Sequence, residues 1–316
     1  MFALLKRVRR LMWVAGLGAF LIATGEGSSV ALAGTAKAPG EAKRIVSIGG
    51  DITEIIYALD KGDSIVAIDT TSHYPPEAAT TKKSVGYMRA LSTEGVLSTN
   101  PDLIITSGNA GPPEVVAALK ASSIPMIEIQ TAETPEGVAR KVEIVAEALG
   151  VKAAGDKLAQ DVKSEFEGVA AKRAKVTKPI KALFVLANQG GRVIAAGEKT
   201  AAEAMFALAG AENAVKGVEG YKPLNDEAAV TAAPDVIVVM LRSDGANAGQ
   251  LVREIGEMKG LGSTPAAKAG RIIEVDGSYV LQFGPRAASA AADLMGRFYP
   301  ELAGKAPASN PPAEHQ

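Results

Sequence analysis

The stretch Gly86-Tyr87-Met88-Arg89-Ala90-Leu91-Ser92-Thr93-Glu94 runs on to Pro101-Asp102 and an apolar segment. It predicts an exposed tyrosine loop, a short helix and a buried strand. A second copy, Gly220-Tyr221-Lys222-Pro223-Leu224-Asn225-Asp226-Glu227, leads to Pro234-Asp235 at the same interval after the glutamate, again before an apolar run. Two similar units predict two similar lobes, with a ligand groove where the tyrosine loops face each other.

Composition fits one large or two medium globular domains, because the 316 residues are 47% hydrophobic and 22% charged. The sequence contains no cysteine. A disulfide scaffold, thiolate metal sites, a cysteine nucleophile and a lipid-anchored N-terminal cysteine are therefore excluded.

The N-terminus has the pattern of an export signal over residues 1–33. Lys6-Arg7-Val8-Arg9-Arg10 is a basic region, an apolar segment follows over Leu11–Ala23, and Ala31-Leu32-Ala33 is a small-x-small site, so we expect cleavage after Ala33. Cleavage removes four basic residues and one acid, which leaves 34 − 4 = 30 basic against 35 − 1 = 34 acidic residues. A net charge of about −4 argues against a nucleic-acid partner. The expected compartment is the bacterial periplasm, although full secretion stays open.

The first lobe is predicted over residues 44–133, after a mobile leader over 34–43. A β-rich run over 44–48 ends at Gly49-Gly50, after which Asp51 is expected to cap a helix with Glu54 in the capping-box position. A strand follows directly, and this strand, helix, strand order predicts a βαβ unit with parallel strands. Residues 70–83 are expected to form a long surface loop, because Pro75-Pro76 interrupts regular structure.

Two helices are predicted over residues 134–177, between the lobes. The second has about 22 residues and a length of roughly 33 Å, enough to span both lobes. The α/β pattern then resumes over 178–304, followed by a tail over 305–316 that is rich in proline and alanine and is expected to be disordered. The predicted fold class is therefore α/β, with two Rossmann-like lobes of parallel sheet joined by a long spanning helix.

At this point the sequence resembles the periplasmic haem-binding proteins of bacterial haemin ABC importers, within the helical-backbone (class III) substrate-binding proteins. The resemblance covers essentially the whole mature chain. The general class motif is only moderately specific, whereas the Gly-Tyr-x-Arg loop points to haem. The matching segments are Arg44–Glu54, Val85–Gly95, Gly111–Pro113, Gly220–Leu224 and Phe283–Arg286.

The resemblance implies a monomeric receptor in which Tyr87 ligates haem iron through its phenolate. Ferric iron and a nearby guanidinium both favour the phenolate form of a phenol. Family members place one arginine two residues after this tyrosine, here Arg89, and another from the second lobe, which maps to Arg242. Tyr221 and Lys222 are expected to line the opposite wall of the cleft.

Haem is expected here as a transported ligand, not as a catalytic cofactor. Some family members stack two haems with a histidine from the second lobe, whereas this chain has Asn188-Gln189 in that neighbourhood and only two histidines, His73 and His315. We therefore expect one five-coordinate haem. His73 is interpreted as a solvated loop residue, with an accessory role at the ligand as the alternative.

Glu94 and Glu227 occupy matched positions in the two copies. They are early-helix carboxylates, which the helix dipole favours. The resemblance implies a second role, because this class docks onto the inner-membrane ABC permease through one exposed glutamate per lobe.

Other functions are less consistent with the sequence. A receptor of the same class for a ferric siderophore or a corrinoid would share the fold and the docking acids and differ in the cleft. A Rossmann-type enzyme is a remote alternative, since the G-x-G-x-x-G fingerprint is absent after the first strand. A hydrolase would need a G-x-S-x-G elbow, which is also absent. We expect no enzymatic activity.

Overall fold

The computed structural model describes residues 42–130, 132–241 and 249–302. The predicted signal peptide and the predicted tail lie outside this range, as does most of the predicted leader. Among the described residues, no helix combines the length and apolar character that a membrane span needs.

The first sheet has five strands and is wholly parallel, as the βαβ pattern predicts. Its spatial order is β3-β2-β1-β4-β5. The strands are β1 (Ile45–Ile48), β2 (Ile65–Ile68), β3 (Lys83–Ser84), β4 (Leu103–Ser107) and β5 (Met126–Ile129). The helices of this region are α1 (Gly50–Ala58), α2 (Pro76–Thr81), α3 (Thr93–Leu97) and α4 (Pro113–Lys120). Because buried apolar clusters cover both faces of the sheet, its strands are nearly continuous runs of aliphatic residues.

The two predicted connecting helices are α5 (Pro135–Ala148) and α6 (Lys152–Arg173). Thr134 caps α5 by accepting a hydrogen bond from the Gly137 amide, with Pro135 at the first helical position. Helix α6 has 22 residues, as predicted, and a length of about 33 Å. It contributes Ala159 to the first core and Phe166 to the second, so it spans both.

The second sheet has six strands with the order β11-β10-β6-β7-β9, and β8 pairs beside β6. The strands are β6 (Lys181–Gln189), β7 (Arg192–Ala196), β8 (Glu212–Asn213), β9 (Tyr221–Leu224), β10 (Val236–Leu241) and β11 (Ile272–Asp276). The helices are α7 (Ala201–Leu208), α8 (Asp226–Ala232), α9 (Gln250–Glu257), α10 (Pro265–Lys268), α11 (Gly277–Leu281) and α12 (Ala287–Phe298).

The expectation of a parallel second sheet is correct for only part of it. Strands β6, β10 and β11 are parallel, but β7 is antiparallel to both β6 and β9. The reason is the short Gly190-Gly191 turn between β6 and β7, since a turn of this length joins only antiparallel strands. Tyr221 consequently lies on a strand, whereas Tyr87 lies on a loop.

Two local expectations in the first lobe are wrong. The loop over residues 70–83 contains α2, which begins where Pro76 supplies the fixed φ of a first helical residue. The expected capping box at α1 does not form, because the helix already begins at Gly50 and its N-cap, Gly49, has no side chain. Asp51 and Glu54 instead turn inward and are buried.

The two sequence copies form the same local structure. Ser92 caps α3 through the Gly95 amide, and Asn225 caps α8 through the Ala228 amide. The Pro-Asp pairs that follow each fix a neighbouring strand, because Asp102 accepts a hydrogen bond from the Arg44 amide at 2.9 Å and Asp235 accepts one from the Lys181 amide at 2.8 Å. The internal repeat thus places an exposed, capped helix before a central strand in each half.

Candidate functional site

A cavity of about 1100 Å³ lies between the two sheets and is lined by residues from both. It opens at the carboxyl ends of the parallel strands, and its lining side chains come from strand ends such as Ser107 and Ile129, from helices, and from the loops that follow the strands. This is the usual position of ligand sites in α/β sheets.

Tyr87 projects from a loop that is fixed at both ends. Before it, the Thr70 amide donates to the Gly86 carbonyl at 2.9 Å; beyond it, the Gly111 amide donates to the Met88 carbonyl at 2.9 Å. Gly86 has φ +93°, a value that residues with a side chain rarely adopt. The loop is therefore held rigidly while the Tyr87 side chain keeps 47% of its surface exposed. Tyr87 and Arg89 both line the cavity.

Tyr221 lines the opposite wall, from β9. Burial raises the pKa of its phenol; the Ala202 amide, which donates to it, and the Arg89 guanidinium across the cleft partly offset that rise. Arg89 and Tyr221 line the same cavity from opposite walls. The structure thus brings Tyr87, Arg89 and Tyr221 together in one cavity.

Lys222 is not among the residues that line the cavity, and its expected place in the cleft stays a prediction. Successive side chains of a strand point to opposite faces, and Tyr221 takes the cavity side of β9. Lys222 is exposed to solvent instead. Arg242 lies outside the described residues, and its predicted role stays a prediction.

A buried ion pair forms part of the cavity wall, which the sequence analysis missed. The Lys141 ammonium on α5 binds the Asp51 carboxylate of α1 and donates to the Phe283 carbonyl at 3.2 Å. All three residues line the cavity. A signal existed in the sequence, because Lys141 interrupts the apolar stripe of α5 between Val138 and Val142. A lysine at such a position must find a buried partner.

His73 and Lys199 also line the cavity, and the Lys199 ammonium pairs with the Glu219 carboxylate. Lys199 adopts φ +57° immediately before Thr200, the N-cap of α7. Apolar contributions come from Met88, Leu186, Met240, Leu281 and Phe283. The lining also includes the carboxylates Asp51, Glu133 and Asp276, so the cavity combines apolar walls with charged groups of both signs, an arrangement that suits a large, mainly apolar ligand with polar substituents.

Glu94 and Glu227 lie away from the cavity, each at the second position of its exposed, capped helix. Both carboxylates are exposed. Among the described residues, neither forms an ion pair.

Comparison with known proteins identifies the family. The sequence profile of the periplasmic binding proteins matches residues 45–279. The chain belongs to this family. The relatives of this binding protein described below are themselves binding proteins and not enzymes.

Two solved structures are similar throughout the described fold. One is the periplasmic heme-binding protein RhuT from Roseiflexus sp. RS-1 in apo form, with 37% identity over 83% of this chain and 99% of that one, and a TM-score of 0.77. The other is the periplasmic heme-binding protein BhuT in complex with two hemes, with 38% identity, the same two coverages and a TM-score of 0.76.

Two further proteins are similar to this chain in sequence. An uncharacterized ABC transporter substrate-binding lipoprotein, YvrC of Bacillus subtilis, is 29% identical over 83% of this chain and 81% of its own length. A vitamin B12-binding protein of Vibrio campbellii is 28% identical over 63% of this chain and 71% of its own length.

Proposed function

We propose that this periplasmic binding protein captures haem in the cleft through the phenolate of Tyr87 and delivers it to an inner-membrane ABC importer. The observation that carries the proposal is the placement of an exposed tyrosine and an arginine, Tyr87 and Arg89, on a rigid loop at the wall of the large cavity. The likeness to two periplasmic heme-binding proteins supports it.

The size of the cavity supports a ligand as large as a porphyrin. Sites for drug-sized molecules occupy about 300–1000 Å³, and this cavity reaches about 1100 Å³. Methionine and leucine side chains on the walls would contact the porphyrin faces. Arg89 and Lys199 would attract the propionates, and Arg89 would also stabilise the phenolate at ferric iron.

Titration with ferric hemin tests the proposal. We expect saturable binding, a high-spin tyrosinate-type visible spectrum and an endpoint at one hemin per chain. Tyr87→Phe should lose that spectrum and bind much more weakly. Tyr57→Phe is the control, because Tyr57 lies on α1 and does not line the cavity. An unchanged spectrum in Tyr87→Phe would show that the ligand assignment is wrong, and an endpoint at two would show that the expected stoichiometry is wrong.

A corrinoid receptor is the second candidate, favoured by the relative that binds vitamin B12. Cyanocobalamin, titrated under the same conditions, distinguishes the two. Tight binding of cyanocobalamin without binding of hemin would replace the haem proposal, and in that case Tyr87→Phe should have little effect on affinity.

We propose that Glu94 and Glu227 dock the protein onto its permease. Their support is geometric: each is an exposed carboxylate without an ion-pair partner in the described structure, at the same place in the two copies. Glu94→Lys/Glu227→Lys should abolish stimulation of the reconstituted transporter's ATPase while hemin binding is kept. Glu136→Lys is the matched control, because Glu136 is also an exposed second residue of a capped helix, α5. Retained stimulation in the double variant would refute this role.

Export to the periplasm follows from the predicted signal peptide over residues 1–33. N-terminal sequencing of the protein from a periplasmic extract should begin at Gly34. A mature protein that keeps Met1 would contradict the cleavage site.

A further inference from the structure

A partly buried contact between the halves centres on Arg286, outside the cavity. Arg286 directly precedes α12, and its guanidinium donates from Nη2 to Glu54 Oε2 at 2.9 Å while its backbone amide donates to Glu54 Oε1 at 2.9 Å. Glu54, on α1, retains only 5% of its surface exposed. Both oxygens of a carboxylate from the first half are thus satisfied by one residue of the second half.

Two aromatic rings hold the same guanidinium. Its Cζ lies 3.5 Å from the ring centroid of Tyr74 and 5.1 Å from that of Tyr279. Arg286 Nε is buried and finds no acceptor among the described residues, so ring contacts replace that hydrogen bond. Tyr279 is fixed in turn by donating from its hydroxyl to Asp293 at 2.9 Å. We call Glu54, Tyr74, Tyr279 and Arg286 the Arg286 clamp.

The clamp acts on the loop over residues 69–75, which is part of the cavity wall. Tyr74 directly follows His73, which lines the cavity. On the other side of His73, the Gln282 side-chain amide donates to the Thr71 carbonyl at 2.8 Å. The second half therefore holds this loop of the first half on both sides of His73.

The same loop continues to the Tyr87 loop. The Thr70 amide donates to the Gly86 carbonyl, and the Thr71 hydroxyl lies 3.9 Å from the Met88 sulfur. Any displacement of residues 69–75 would therefore move Tyr87 relative to the opposite wall. A continuous set of contacts links Arg286 to Tyr87, although Arg286 does not line the cavity.

Stability alone is a weak explanation for such a charged cluster. A buried ion pair is often no more stabilising than apolar residues of similar volume, because the charges lose their hydration. The hydrogen bonds between Glu54 and Arg286 have fixed directions, however, so they favour one arrangement of the two halves relative to each other. Opening this side of the cleft would separate Glu54 from Arg286 and break both hydrogen bonds between them.

We propose that Arg286 is a positioning residue for ligand binding: the Arg286 clamp fixes the 69–75 loop against the second half, so that this wall of the cleft is set before ligand arrives. Its effect is on how long ligand is retained and not on iron ligation. The part of this proposal that concerns hemin rests on the proposed function, whereas the part that concerns the free protein does not.

Three variants of the full chain separate the contacts of the clamp. Arg286→Met removes the ion pair and the cation, Glu54→Gln removes the charge with little change in shape, and Tyr74→Leu removes one ring. Tyr74→Leu is the variant with least risk to folding, because its side chain is 42% exposed. Arg297→Met is the control, because Arg297 lies on α12 and donates to the Glu274 carbonyl outside the clamp.

The first measurement is amide hydrogen exchange of the protein without ligand. The amides of Thr71, Ser72 and His73 are all hydrogen-bonded within the loop. We expect these amides to exchange about tenfold faster in Arg286→Met, within the ~5- to 150-fold range of coupling between sites. In Tyr74→Leu the increase should be about two- to fivefold, as for an exposed cation–π contact. In the control Arg297→Met, these amides should exchange at the wild-type rate.

The second measurement is the rate at which hemin dissociates to an excess of a haem scavenger. We expect Arg286→Met and Glu54→Gln to release hemin about tenfold faster with the visible spectrum of the wild type. If these variants unfold at lower denaturant concentration but release hemin at the wild-type rate, the clamp has only a structural role and the proposal is wrong.

The two measurements also separate the failure of this proposal from that of the proposed function. If the wild type binds no hemin, the proposed function fails and hydrogen exchange alone decides on the clamp. In that case, the proposal is overturned if the amides of residues 71–73 exchange at the wild-type rate in both Arg286→Met and Tyr74→Leu.

Discussion

Replacing Lys141 with methionine should strongly destabilise the protein. In the wild type, the side chains of Lys141 and Asp51 are only 8% and 9% exposed, and the ammonium also binds the Phe283 carbonyl. Lys141→Met leaves the carboxylate buried without a cation. Breaking a buried pair in this way costs about 3–5 kcal/mol.

That cost is large compared with the ~5–15 kcal/mol that stabilises typical proteins. Each 1 kcal/mol corresponds to about 2–4 °C for a protein of this size class, so the melting temperature should fall by roughly 10 °C. Urea unfolding followed by circular dichroism should show a lower midpoint with an unchanged m-value, since the buried surface stays the same.

Two further variants test the reasoning. Lys152→Met removes a lysine that pairs with Asp156 on the exposed face of α6, and it should leave the midpoint unchanged. Adding Asp51→Asn to Lys141→Met should restore about 1 kcal/mol or more, because the double variant no longer buries an unpaired charge. A loss below about 1 kcal/mol in Lys141→Met would show that water or local movement solvates the carboxylate, and the account of a dry ion pair would be wrong.

Two other perturbations have defined outcomes. Tyr299→Phe should cost about 1–3 kcal/mol in urea unfolding, because the hydroxyl donates to the Gly210 carbonyl at 2.6 Å and accepts from the Ile180 amide at 3.0 Å; wild-type stability would show that both groups find other partners. Burial and the hydrogen bond to Asp293 raise the pKa of Tyr279 above its ordinary value of 10.0. As the pH rises, the Tyr279 hydroxyl therefore loses its proton in the unfolded chain before it does so in the folded protein. The contribution of this hydroxyl to stability is complete below pH ~10 and declines at higher pH. Above pH ~10, the free energy of unfolding of Tyr279→Phe should fall less steeply with pH than that of the wild type. Equal slopes in the two proteins would contradict this.

The positions of most secondary structure elements were predictable from the sequence. Caps such as Thr134 and Thr200, followed by apolar periodicity, define α5 and α7 because the signals are local. The spanning helix α6 has the predicted length. The short helix α2 was missed, since a proline pair gives the same local signal for a loop and for the first turn of a helix.

The candidate site was predictable only in part. Tyr87 and Tyr221 were named from the repeat and Arg89 from the family resemblance, and all three line the cavity. Lys222 was expected beside Tyr221 in the cleft, but the loop expected around Tyr221 is a strand, in which successive side chains point to opposite faces. Asp51 and Glu54 resembled a capping box, a motif defined by four neighbouring residues, but each binds a cation from elsewhere in the fold.

The sequence by itself determined the two copies of the tyrosine, helix and strand unit, and therefore a chain with two related halves and a tyrosine at each side of a groove. Only the tertiary structure decided the partners of the buried charges. Asp51 pairs with a residue 90 positions away and Glu54 with one 232 positions away. Periodicity and capping describe interactions within a few residues, whereas these pairs arise because folding brings distant helices together and a buried carboxylate requires a cation wherever packing provides one.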